Sequence, residues 1–272
     1  MNRVLAVLVN YGDEQLDYLA QVVAQLKAFE HYDVTVIVNS NVALDITGID
    51  RVQIFELDNY QYLPLTCRQT LWDNRDAYDI FIYGENDHLF LEQHVDKHLE
   101  YTRILPKNRI AGLIQYEESP EGRFYPGYHI PFEWDYRSVK RYGGKTFAHF
   151  NNIHQASFIL TQAQLLRIGK RLDFVALAPD KRYNIVQKAF RKFLKLLGVR
   201  VPVYGNYSLK CKVNTDIFQY AGLKKLICIS EFEANLIHHL PNLYISGTAG
   251  RQQLGSSESR MQEAIQRLMK TR

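Results

Sequence analysis

Glu85 and Asp87 stand two residues apart in the string Tyr83-Gly84-Glu85-Asn86-Asp87-His88. The string follows a short apolar run, DIFIY at 79–83, that reads as a buried strand. Open α/β sheets bind ligands at the carboxyl ends of their strands. Hard divalent cations take carboxylate oxygens together with phosphate oxygens. The acid–x–acid spacing therefore suits a metal–diphosphate complex; the plainer reading is a charged turn. Two further sets of residues could join that chemistry. His238 and His239 are adjacent, so on a strand or helix they face different ways, and at most one of them is expected beside Glu85 and Asp87 as a ligand. Asp216 opens an apolar stretch that stops at Gly222. It suits either an acid in the first turn of a helix, where the macrodipole favours it, or a general base at the mouth of a site.

The elements that must hold these groups follow from hydrophobic periodicity. Residues 3–10 (RVLAVLVN) and 33–38 (DVTVIV) are β-branched apolar runs that predict buried strands, and 15–29 has helical spacing between them. A third strand is predicted over 51–57, helices over 65–74 and 89–102, and one strand over 110–116. Residues 117–152 hold Gly122, Pro126, Gly127, Pro131, Gly143 and Gly144 among many aromatics, and read as an irregular insertion of the kind that carries binding residues. Regular structure resumes with a strand near 156–161 and a helix over 162–172. A basic helix over 181–197 is ended by Gly198, a helix follows over 214–221, and a last strand over 225–229. Strands alternating with helices imply an α/β fold with a mostly parallel central sheet flanked by helices. A single domain over 1–245 is expected, followed by a polar tail, 246–272, with a short amphipathic helix.

Composition excludes several classes. With 46% hydrophobic and 23% charged residues over 272, the chain is globular rather than disordered or fibrous. Three scattered cysteines make neither a disulfide framework nor a zinc site, so a reducing, cytoplasmic setting is expected. Neither a secretory signal nor a membrane-spanning run is visible, which leaves peripheral membrane contact at most. Lys181, Arg182, Lys188, Arg191, Lys192 and Lys195 form a basic helical face opposite apolar residues, suited to anionic lipid or simply to solvent. A net charge of +4 is too weak to argue for nucleic acid. Phosphate-loop, dinucleotide, HExxH and GxSxG signatures are all missing.

Taken in order, five segments resemble nucleotide-sugar glycosyltransferases of the GT-A fold. VLAVLVNYGDEQLDYLAQVVAQL is similar to the family's first strand, nucleotide-contacting loop and helix, and VTVIVNSN to its second strand. DIFIYGENDHLF is similar to the strand bearing the DxD motif, with Glu85-Asn86-Asp87 as its core. NIHQASFILTQAQLL resembles the acceptor-side strand and helix, and NTDIFQYAGLKKL the later segment that bears the base of inverting members. The resemblance implies a GT-A-like (Rossmann-like) fold and transfer of a sugar from a nucleotide-diphosphate donor to a glycan or glycolipid hydroxyl. Asn10, Tyr11, Gly12, Asn39, Glu85 and Asn86 are then expected against the donor. Glu85, Asp87 and one of His238 and His239 are expected on Mn²⁺ or Mg²⁺, and Asp216 as the base of an inverting reaction. In the insertion and beyond, Tyr116, Arg123, Tyr125, His129, Trp134, Asp135 and His154 are candidates for sugar contact. A sugar-nucleotide transferase is an alternative, though NYGDEQ lacks its glycine-rich basic loop. A non-catalytic glycan-binding protein on the same fold is a second.

Overall fold

The structure is a computed structural model that describes residues 1–127, 133–179, 184–197, 207–245 and 255–271. The chain opens with β1 (Asn2–Asn10), α1 (Leu16–Lys27), β2 (Tyr32–Ser40) and β3 (Arg51–Ile54), then α2 (Leu63–Asp73) and β4 (Ile80–Glu85). The run Val4–Val9 is apolar at every position, which suits a strand covered on both faces. Alternation then divides it. Val4, Ala6 and Leu8 meet Leu19, Val22, Val23 and Leu26 of α1, while Leu5, Val7 and Val9 meet Leu63, Cys67 and Leu71 of α2. β1 pairs in parallel with β2 on one side and β4 on the other, so the ends at Asn10, Ser40 and Glu85 emerge together. Gly84 is required in β4 by close approach: a β-carbon there would lie 2.5 Å from the Phe90 ring.

Next come β5 (His88–Leu89), α3 (Glu92–Ile104), β6 (Arg109–Ala111), β7 (Ile114–Ser119), β8 (Gly122–Tyr125), β9 (Trp134–Tyr142), β10 (Lys145–Phe150), β11 (Ser157–Thr161) and α4 (Gln162–Gly169). The described residues then give α5 (Ile185–Leu196), α6 (Leu209–Gln219), β12 (Lys224–Cys228), β13 (Leu236–His239), β14 (Ser256–Ser257) and α7 (Glu258–Lys270). The first sheet has the order β11-β4-β1-β2-β3 and is parallel except for the antiparallel edge β11. A second sheet runs β6-β12-β10-β9, and a third β14-β8-β7-β13-β5. Both combine parallel and antiparallel pairs. The fold is thus α/β with mixed sheets, in place of one mostly parallel sheet.

Several local expectations are corrected. The predicted strand over 110–116 is two strands in different sheets. The region 117–152, expected to be irregular, holds two hairpins among its described residues. The second turns at Gly143-Gly144, both with positive φ, between paired Tyr142 and Lys145. That is the two-residue loop whose twist matches the strands it joins. α6 starts five residues ahead of the predicted helix, which puts Asp216 inside it rather than at its start. α7 buries Met261, Ile265 and Leu268 against Tyr125, Trp134 and Phe150, so this part of the expected polar tail packs into a core. Gly198, Lys181 and Arg182 lie outside the described residues.

α3 is held by two buried histidines. His94 accepts the Leu91 amide at 3.1 Å through Nδ1, which caps the helix, and donates from Nε2 to the Leu236 carbonyl at 2.8 Å. His98 donates to Gln164 Oε1 at 2.8 Å, the oxygen that also takes the Thr161 amide and caps α4. Burial pushes both imidazoles down to about 4. The unfolded chain, titrating near 6.5, therefore binds more protons than the folded one between those values. Stability should be full above pH 6.5 and fall by about 2 kcal/mol per histidine as pH drops from 6.5 to 5. Urea midpoints measured across that range check it, and the fall should be shallower in His98→Gln.

Candidate functional site

The carboxyl ends of β1 and β4 are tied together by asparagines. Asn86 donates to Asn10 Oδ1 at 2.8 Å; Asn10 Nδ2 in turn reaches the Gly12 carbonyl at 2.9 Å and Ser40 Oγ at 3.2 Å. The Gly12 amide donates to Asn41 Oδ1 at 2.8 Å. An amide at position 86 serves this network with a donor and adds no third negative charge between Glu85 and Asp87. Above these ends opens a cavity of about 1190 Å³, lined by Val9, Tyr11, Glu85, Asn86, Asp87 and His239 among others. Tyr11 is exposed at its edge with its ring 5.3 Å from that of Tyr60, and Tyr244 and Lys210 also line it.

Asp87 forms the floor. Its Oδ1 lies 2.6 Å from His88 Nδ1 and its Oδ2 lies 3.3 Å from His239 Nε2. The antiparallel pairing of β5 with β13 sets His88 opposite His239, with ring centroids 5.0 Å apart. Glu117 on β7 is fully buried behind them. Its carboxylate meets His239 Nδ1 at 2.6 Å and accepts the Tyr244 and Ile245 amides at 3.0 and 2.8 Å. Burial disfavours the imidazolium of His239, yet the hydrogen bonds to Asp87 and Glu117 outweigh it and lift the pKa to about 9. Burial likewise opposes the charge on Asp87, but His88 and His239 hold its carboxyl well below the usual range. Glu85 is raised, by burial first and by neighbouring Asp87 second, with His88 acting against both.

Asp87, His88 and His239 offer one oxygen and two nitrogens within 4.8 Å of one another, and all three are buried. The fit to a divalent cation rests on Asp87 Oδ1 and His88 Nδ1. Both are buried and, for all their proximity, neither makes a well-directed hydrogen bond. Glu117 holds the His239 Nδ1 proton, so a cation displacing the Nε2 proton would meet that nitrogen already turned toward Asp87, as an outer carboxylate does for a metal-bound histidine. Gln115 meets His88 Nε2 through its side-chain amide nitrogen. Two imidazoles with one carboxylate suit Mn²⁺ and later transition ions better than Mg²⁺, which prefers oxygen.

Among the expected site residues, the structure brings Tyr11, Glu85, Asn86, Asp87, His154 and His239 to one cavity. Asn10 and Gly12 support it from below through the hydrogen bonds just described. His154 also approaches Asn214 Nδ2 through Nδ1 at 3.2 Å. The remainder lie elsewhere. Asn39 is fully buried and donates to Thr66 and Thr70 of α2 at 2.9 and 3.1 Å, because alternation along β2 turns it toward that helix. Asp216 is fully buried within α6, where its Oδ2 accepts the Ala178 amide at 2.7 Å. Lys212, one turn earlier, donates to the Ala178 carbonyl at 2.5 Å, so the pair grips a passing loop rather than facing the cavity. His238, on the opposite face of β13 from His239, stacks on Tyr116 at 4.8 Å, and the Arg123 guanidinium lies 4.9 Å from the centroid of the same ring. Tyr125 donates to Glu258 at 2.9 Å, Trp134 packs on Phe150 in a core, and Asp135 accepts the Arg137 amide at 3.2 Å. His129 lies outside the described residues.

Sequence reasoning missed His88 and Glu117 as members of the site. His88 was visible as the residue after Asp87. Glu117 had no local signal, since only the parallel pairing of β7 with β13 brings it to His239. The chain matches no protein-family model and no curated protein.

Two expectations follow. Mn²⁺ titrated calorimetrically should bind once, with binding lost in Asp87→Ala and His239→Ala, retained in His238→Ala, and weakened about 10–100-fold in Glu117→Gln. Asp216→Ala should lower the unfolding free energy by about 1–3 kcal/mol in a denaturant melt, the cost of leaving a buried amide unpaired.

Proposed function

We propose that the chain is a metal-dependent glycosyltransferase that moves a sugar from a nucleotide-diphosphate donor to a hydroxyl of a glycan or glycolipid. The observation that carries the reading is the meeting of Asp87 and His239 on the floor of a large cavity at the carboxyl ends of parallel strands. The finer GT-A-like description of the fold rests on this same edge, where a parallel β3-β2-β1-β4 sheet delivers an acid–x–acid string.

Glu14, Asp58, Glu85 and Asp87 line the cavity against Lys210 and His239. A diphosphate would be repelled by that wall unless a cation preceded it. Asp87, His88 and His239 would hold the cation, with Glu117 orienting the His239 ring. Bound there, Mn²⁺ supplies a Lewis acid that neutralises the charge on the departing diphosphate. Lys210 adds a second positive group for the same anion. Tyr11 and Tyr60 present ring faces at the rim, suited to a nucleobase, and Tyr244 one nearer His239, suited to a sugar. Asp216 has no part in this mechanism, since its carboxylate is committed to Ala178, so the reading does not extend to inversion. The sugar-nucleotide transferase alternative is disfavoured by the turn after β1, which carries Asp13 and Glu14 and no basic residue for a triphosphate.

A panel of UDP- and GDP-sugars with Mn²⁺, read as release of nucleoside diphosphate, tests the proposal. Release with at least one donor is expected, dropping about 100-fold or more in Asp87→Ala and under EDTA. Pyrophosphate as product would point to the transferase alternative, and release indifferent to both treatments would overturn the metal-assisted mechanism.

A further inference from the structure

Among the described helices, α5 departs from the others in how it meets solvent. At 100° per residue, Ile185, Val186, Ala189, Phe190, Phe193, Leu194, Leu196 and Leu197 fall on one half of its circumference, and Gln187, Lys188, Arg191 and Lys192 on the other. On a globular helix the apolar half would be buried. Here Ile185 is 85% exposed, Phe190 58% and Leu196 79%, and Val186, Phe193 and Leu197 are exposed with them. Nearly half of the large exposed apolar side chains among the described residues therefore sit on this one short helix and the residue after it. Such a concentration marks an interaction surface.

Charge identifies the partner. Residues 181–200 hold seven basic side chains and no acid. The rest of the chain, with 26 basic and 29 acidic residues, is net negative. In sequence, the positive charge of this protein is thus gathered in and beside α5, whose apolar stripe is exposed. A helix with an apolar half and a basic, acid-free half matches an anionic bilayer surface, with the rings and aliphatic groups entering the acyl boundary and the cations meeting headgroup phosphates. Twelve residues extend about 18 Å, well short of the roughly 30 Å hydrocarbon core. Among the described residues no helix is long and apolar enough to cross a membrane. A membrane-bound α5 would therefore lie in the interface plane.

We infer that α5 docks the protein peripherally on anionic membranes, with Phe190 and Phe193 inserted and Lys188 and Lys192 on the headgroups. The inference stands apart from the catalytic reading, since no cavity residue belongs to α5.

Sedimentation of the full chain with vesicles tests it. Phosphatidylcholine vesicles containing phosphatidylglycerol should carry the protein down, and pure phosphatidylcholine should not. Binding should weaken as salt is raised from 0.05 to 0.5 M. Lys188→Glu/Lys192→Glu should lower the partition coefficient about 10-fold or more, and Phe190→Glu/Phe193→Glu should abolish binding. The substituted side chains are exposed, so both variants should keep the wild-type melting temperature, and the salt series needs no variant. Equal binding to neutral vesicles, or none to either, overturns the inference. So does a concentration-dependent dimer, seen by light scattering without lipid affinity and dissolved by Phe190→Glu/Phe193→Glu, because the apolar face would then belong to a second copy.

Discussion

A carboxylate buried at Asp87 is the constraint on which the site depends. An ionised acid withdrawn from water is tolerated only when positive charge or hydrogen-bond donors meet it. His88 and His239 meet this one from either side. His239 can carry its charge there because Glu117 stands on its far nitrogen, and Glu117 is itself satisfied by two backbone amides of the segment after β13. The chain of contacts runs Asp87–His239–Glu117–Tyr244. It makes the third sheet part of the site, since β5, β7 and β13 each contribute a member.

The strand ends above it are held by amides rather than acids. Asn10, Asn86 and Ser40 join three parallel strands through neutral side chains. This keeps the negative charge concentrated at Glu85 and Asp87 while bracing the edge from which they project. The middle acid of an acid–acid–acid string would trade a donor for another charge at that position. The same economy governs the back of the sheet. Asn39 is spent on the hydroxyls of α2, and Asp216 and Lys212 on the backbone of Ala178, so polar groups that could have been chemical are structural instead.

Much of this was legible locally. The β1–α1–β2–β3 order, the strand leading to Glu85 and the amphipathic pattern of α5 follow from periodicity, which needs only neighbours in the chain. The expectation that His238 and His239 diverge came from the same geometry, and β13 does send one to Tyr116 and the other to Asp87. What escaped was of two kinds. Hairpins over 117–152 hid because their strands are rich in Tyr, Arg and Lys and their turn glycines read as an irregular insertion. Asp216 misled because an acid before Ile217-Phe218 looks like a helix start, whereas α6 had begun at Leu209.

By itself the sequence determined the apolar strands that lead to Asn10 and Glu85 and which acids follow the second of them, because both depend on side-chain pattern over a few residues. It also determined the basic–apolar division of α5. Only the tertiary structure decided that His239 rather than His238 completes the site, that His88 and Glu117 belong to it, that Asp216 does not, and that the apolar half of α5 faces solvent. Each of these turns on contacts set by the assembled fold: the register of β13 against β5 and β7, the bond from Ala178 to Asp216, and the absence of any described element packed over α5. Periodicity specifies a face for every side chain, but what lies opposite that face is settled only when the strands and helices assemble.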